Sequence, residues 1–96
     1  MNVVYHKLVQ KDLDDAWGYY EDASEGLGDR FFDEFLAVIA SIQRNPKSWP
    51  PTDKGRRVAL FSRFPYKLLY RIEPERVKVL VVRHQKRNPA FGDKRR

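Results

Sequence analysis

The sequence predicts an α+β domain in which a helical hairpin packs on a small antiparallel sheet, in the order β-α-α-β-β-β. Three observations carry this. Apolar residues recur at helical spacing through the first half of the chain, the period changes to two in the second half, and a loop with three prolines, Asn45 to Gly55, separates the two regimes. Ninety-six residues correspond to one domain spanning 1–96.

Asn2 to Tyr5 is a short apolar stretch suited to a first strand. Val9, Leu13, Ala16, Trp17 and Tyr20 then fall on one helical face, with Lys11, Asp12, Asp14, Asp15 and Glu21 on the other. Gly26-Leu27-Gly28 breaks this helix. Asp29 is placed to cap the second helix or to sit in its first turn. There Phe32, Phe35, Leu36, Ile39 and Ile42 repeat at core spacing, and Asn45-Pro46 ends the run, because a residue before proline is pushed out of the α region. A tight glycine turn between two such helices makes an antiparallel hairpin.

Beyond the loop, Arg57 to Phe61 is expected as a short strand. In the next strand, Tyr66, Leu68, Tyr70 and Ile72 alternate with Lys67, Leu69 and Arg71. In the last, Val77, Val79, Val81 and Arg83 alternate with Lys78, Leu80, Val82 and His84. Glu73-Pro74-Glu75-Arg76 supplies the turn that pairs these two strands antiparallel. The helices cover one sheet face. The other is expected to stay partly open, with basic residues on it or around its rim.

Charge is divided in the same way as period. Met1 to Gly55 carries 10 Asp/Glu against six Lys/Arg, whereas Arg56 to Arg96 carries 13 Lys/Arg against three Asp/Glu. A basic sheet and tail held by an acidic helical half suits a polyanion or an acidic partner. The chain has no cysteine and two histidines far apart in sequence, His6 and His84. That argues against a disulfide framework, a thiolate site or a His-rich metal site, and no metal or cofactor is expected. No signal peptide or membrane-length apolar run is seen, so a cytoplasmic protein is expected. The glycines are too sparse for a phosphate-cradling loop, and no Ser/His/Asp spacing points to acyl transfer.

What remains for chemistry is a concentration of cations: Lys54, Arg56, Arg57, Arg63, Lys67, Arg71, Arg83, Lys86 and Arg87, with His84 among them. Arg and Lys bind phosphate oxygens, Arg through a bidentate fork, and a cluster of them stabilises the charge of a pentavalent phosphorane. His84 is the one side chain in the group whose ordinary pKa suits proton exchange near neutrality. A ribonuclease could be built from these parts, with RNA supplying its own 2′-OH nucleophile. Each residue also has a structural alternative. His84 could be a hydrogen-bonded strand end, Lys67 and Arg71 edge charges that discourage strand addition, Arg83 the partner of a helix acid and Arg87 a tail charge.

Particular segments carry a family resemblance over nearly the whole chain. They are Asp12-Leu13 with Tyr20, Gly26-Leu27-Gly28-Asp29-Arg30-Phe31, Asn45-Pro46, the F-P-Y-x-x-x-Y strand from Phe64 to Tyr70, and the H-x-x-R-x-P ending from His84 to Pro89. The combination resembles the RelE/ParE superfamily of toxins from type II toxin–antitoxin modules, the plasmid stabilization proteins. The resemblance implies a growth-inhibiting toxin neutralised by a cognate antitoxin, whose extended acidic segment wraps it. RelE-like members cleave mRNA on the ribosome. Mapped onto them, Lys67, His84 and Arg87 take the catalytic positions, and Lys54, Arg56, Arg57 and Arg83 bind RNA. The C-terminal tyrosine of that branch has no counterpart, since Phe91 lacks a hydroxyl. ParE-like members instead inhibit DNA gyrase without catalysis, and the H-x-x-R-x-P ending resembles that branch equally well. A third possibility is a degenerate, non-toxic member that only binds its antitoxin.

Overall fold

The computed structural model describes residues 1–96. The elements follow the expected order: β1 (Asn2–Tyr5), α1 (Val9–Ala23), α2 (Leu27–Arg44), a short 3-10 turn (Asp53–Gly55), β2 (Arg57–Leu60), β3 (Tyr66–Glu73) and β4 (Arg76–His84). The expected α+β fold, a helical hairpin on a small sheet, is present.

The sheet itself is mixed rather than wholly antiparallel. Strands β2, β3 and β4 form the expected antiparallel meander, while β1 joins the β4 edge in parallel, giving the spatial order β1-β4-β3-β2. The connectivity explains this. The hairpin and its following loop carry the chain from one sheet edge to the other, so β2 starts in the direction of β1. Two reversals in the meander then bring β4 back into that direction beside β1. A parallel neighbour needs a long connection of this kind.

The hairpin packs through Val9, Leu13 and Ala16 of α1 and Phe31, Phe35, Ile39 and Ile42 of α2. Phe32 and Leu36, expected in the core, are instead exposed, at 40% and 47%. Phe31 takes the inward place, stacking on Tyr20 and Phe61. The turn is closed by Glu21, whose carboxylate accepts the backbone N–H groups of Gly26 at 2.8 Å and Gly28 at 3.0 Å. Gly28 lies so close to Trp17 that a Cβ there would sit 2.7 Å from the Trp17 carbonyl oxygen. Asp29 falls in the first turn of α2, and its Oδ1 accepts the Trp17 indole N–H at 3.0 Å.

A bulge reorganises β4. Tyr70 pairs with Val79 but Leu69 pairs with Val81, leaving Leu80 as the extra residue. Val77, Val79 and Val82 therefore join the helix-side core, while Leu80 and Val81 pack with Leu69 on the outer face. Strict alternation would instead group Val81 and Arg83 with Val77. The outer face is also less open than expected, because the segment after β4 folds across it. Phe91 packs against Leu69, Leu80 and Val81. Gly92, at φ 76°, presses so closely on Val81 that a Cβ would lie 2.5 Å from its Cγ2. Only a glycine suits that backbone and that approach.

Candidate functional site

The tail that crosses the outer face is tied down by the arginines of the sheet. Arg83 is buried, and its Nη1 donates to the carbonyls of Pro89 at 2.8 Å and Phe91 at 2.7 Å. Its Nε is buried without a partner. Burial lowers the Arg83 pKa from its ordinary value, a shift the carboxylate of Asp93 opposes. Arg56 is likewise buried and donates to Asp93, through Nη1 to Oδ1 at 3.3 Å and through Nη2 to the main-chain carbonyl. Lys54 completes the grip, its Nζ lying 2.7 Å from Asp93 Oδ2. The hydrogen bond from Lys54 is the largest cause holding the Asp93 carboxyl below its usual range, and Arg56 adds to it.

A second tie sits at the edge of β4. Strand β1 stops at Tyr5, opposite Val79, and His6 N–H closes the ladder on Val79 O at 2.8 Å. Two backbone groups beyond that point are satisfied by side chains. Val82 N–H donates to Asp12 Oδ2 at 3.1 Å, and Leu80 O accepts from Arg95 Nη1 at 3.1 Å. Arg95 also forks onto Asp12, at 2.6 and 3.0 Å. The pair is almost dry, with side-chain exposures of 10% and 3%. One ion pair thus stands in for the missing length of strand and joins α1, the sheet edge and the tail.

The cations and the histidine singled out in the sequence separate on this scaffold. Tyr66 pairs with His84 and Lys67 with Arg83, so Lys67 and His84 project from opposite sheet faces. Arg57 turns to the helix side and donates to Trp49 O. Arg56 and Arg83 are committed to the tail, and Lys54 to Asp93. His84 and Arg87 do come together, in a cleft of about 70 Å³ that they share with Asp15 and Tyr66. The Tyr66 and His84 rings meet edge-on at 5.3 Å. His84 Nδ1 accepts Lys86 N–H at 3.0 Å, which places the neutral ring's proton on Nε2. The Arg87 guanidinium lies 4.1 Å from the Phe91 ring centroid, a cation–π contact.

Sequence reasoning gave no site role to Asp12, Phe91, Asp93 or Arg95, and it expected Asp12 on the polar face of α1, where the structure instead buries it. One signal was available for Asp12. It lies among Val9, Leu13 and Ala16 at core spacing, so a carboxylate there had to find a buried partner. Nothing comparable marked the tail residues.

Residues 3–89 match the family described as the ParE toxin of the type II toxin-antitoxin system parDE. The chain belongs to the ParE toxin family. Over 85 residues this ParE toxin is 35% identical to Toxin ParE2 of Mycobacterium tuberculosis, in the CDC 1551 / Oshkosh strain and equally in ATCC 25618 / H37Rv. The alignment spans 88% of this chain and 81% of that relative. A solved chain from the chromosomal ParDE TA system of P. aeruginosa superposes with a TM-score of 0.78 at 15% identity, covering 88% of this chain and 95% of its own, and so shares the fold. This ParE is the toxin component of a type II toxin–antitoxin module, and its partner is a cognate antitoxin. No helix is long and apolar enough to cross a membrane.

Proposed function

We propose that this ParE toxin arrests growth in the cytoplasm by binding DNA gyrase rather than by cutting RNA. One observation carries the choice between targets: Lys67 and His84 lie on opposite faces of the sheet. General acid–base cleavage needs its groups within hydrogen-bond reach of one reacting phosphate. Arg56 and Arg83, which would grip that phosphate, already hold the tail. A binding toxin needs no such convergence, and its rigid surface serves as it stands. The family membership supports the same target.

The test is a gyrase supercoiling assay run beside a cell-free translation reaction probed by primer extension. Inhibited supercoiling with intact mRNA is the expected result, and His84→Ala should remain inhibitory. Ribosome-dependent cuts with normal supercoiling would overturn the proposal. The competing RNase reading has one feature in its favour, the shared cleft of Tyr66, His84 and Arg87 beside Asp15. It requires that His84→Ala or Arg87→Ala lower cleavage about 10²–10³-fold.

A further inference from the structure

A cleft of about 400 Å³ opens on the outer side of the sheet, lined by Lys54, Arg56, Arg71 and the tail from Asp93 to Arg96. Six of its seven lining residues are cations, one is an acid and none is hydrophobic. The carboxylates nearby do not balance them. Asp93 takes Lys54 and Arg56, Asp12 takes Arg95, and Glu73 takes Arg71 together with Arg76 from outside the cleft. Crediting all three acids to the cleft still leaves an excess of positive charge. Lys94 and Arg96 are exposed, and their side chains have no acid partner.

We propose that this cleft binds the phosphodiester backbone of nucleic acid, without regard to base sequence and independently of the gyrase reading. Its composition selects this ligand over an acidic peptide. Protein partners are anchored by aromatic and aliphatic groups buried in apolar pockets, and nothing of that kind lines the cleft. A groove with apolar walls lies elsewhere, between α2 and the β2–β3 loop, where half-buried Tyr20, Leu27 and Phe64 and exposed Pro65 line it beside charged residues. Nucleic-acid interfaces are more polar and far more positive than protein interfaces. The arginines paired with Asp93, Asp12 and Glu73 contribute fixed positive charge to the cleft, and the unpaired side chains of Lys94 and Arg96 are free to contact phosphate oxygens, Arg96 through its fork.

Binding is measured by fluorescence anisotropy of the full chain with a mixed-sequence DNA duplex of about 20 base pairs across a salt series. A single-stranded RNA of the same length and a poly-glutamate peptide are run in parallel. The expected result is binding to duplexes of unrelated sequence with equal affinity and a steep salt slope. Lys94→Ala with Arg96→Ala should lower that slope by about two, one for each phosphate no longer neutralised. Both side chains lie outside every ion pair described, so the fold, checked by thermal unfolding, is retained. Arg30→Ala with Arg44→Ala, two exposed positions on α2 across the sheet from the cleft, should leave the slope unchanged. The stronger of the DNA and RNA arms identifies the source of the backbone. No binding, a slope moved equally by both double variants, or binding of poly-glutamate alone would each overturn the proposal.

Discussion

Asp12 and Arg95 show how much can rest on two side chains. Their ion pair is dry, bidentate, and bonded on both sides to backbone groups of β4. Removing one member of a buried pair leaves the other charged and unpartnered, at a cost of about 3–5 kcal/mol. Asp12→Ala also orphans Val82 N–H. We expect Asp12→Ala to lower the unfolding free energy by that amount in urea titration, and Asp12→Asn by less, because the amide oxygen still accepts from Val82. A loss under about 1 kcal/mol would show that the edge rearranges without the pair. Asp12 was legible only in part: its spacing from Val9 and Ala16 marked the buried face, although it was expected on the polar one. Arg95 was not, since it sits in a basic run with no period, and only the fold brings it across 83 residues to its partner.

At the scale of elements, the helices and strands were legible because each has a clear period, and the β3 alternation was correct throughout. Strand β4 was not. Val77 to Val82 is apolar at five of six positions, so nothing in it marks the register change at Leu80. That one bulge decides which face Val81 and Arg83 occupy, and therefore which side of the sheet can hold the tail. The tail is held in part by Asp93, and its attachment should depend on pH. The Asp93 carboxyl is depressed in the folded protein. Its contribution is thus complete above the ordinary carboxylate range and is lost as pH falls through the lower folded value. Protease sensitivity of the tail, followed as pH is lowered into that range, should rise while the hairpin stays intact. Asp93→Asn should be sensitive already at neutral pH. A wild-type tail still protected once Asp93 is protonated would assign the attachment to Arg83, Phe91 and the Arg95–Asp12 pair.

The whole molecule is electrically lopsided, with an acidic hairpin half and a strongly basic sheet-and-tail half. Like charges crowded into the second half repel one another, and exposed ion pairs recover little of that cost. Added salt should therefore raise the urea midpoint between low and about 0.15 M ionic strength, where the screening length falls to about 8 Å. A falling midpoint would mean that the ion pairs outweigh the repulsion. The division of charge was visible in the sequence. The separation of Lys67 from His84 and Arg87 was not, because the bulge in β4 sets the face that His84 takes and the apolar run there does not show it.

The placement of β1 beside β4 has a consequence for the timing of synthesis. A chain leaving the ribosome can form its hairpin early, since α1 and α2 are joined by a few residues. Strand β1, however, has no neighbour until Arg76 to Val79 have been made, and Asp12 has none until Arg95. At about 5–20 residues per second the unfinished toxin spends several seconds with its first strand unpaired. For a protein that harms the cell producing it, that interval is a grace period in which nascent chains are incomplete and an antitoxin can be waiting.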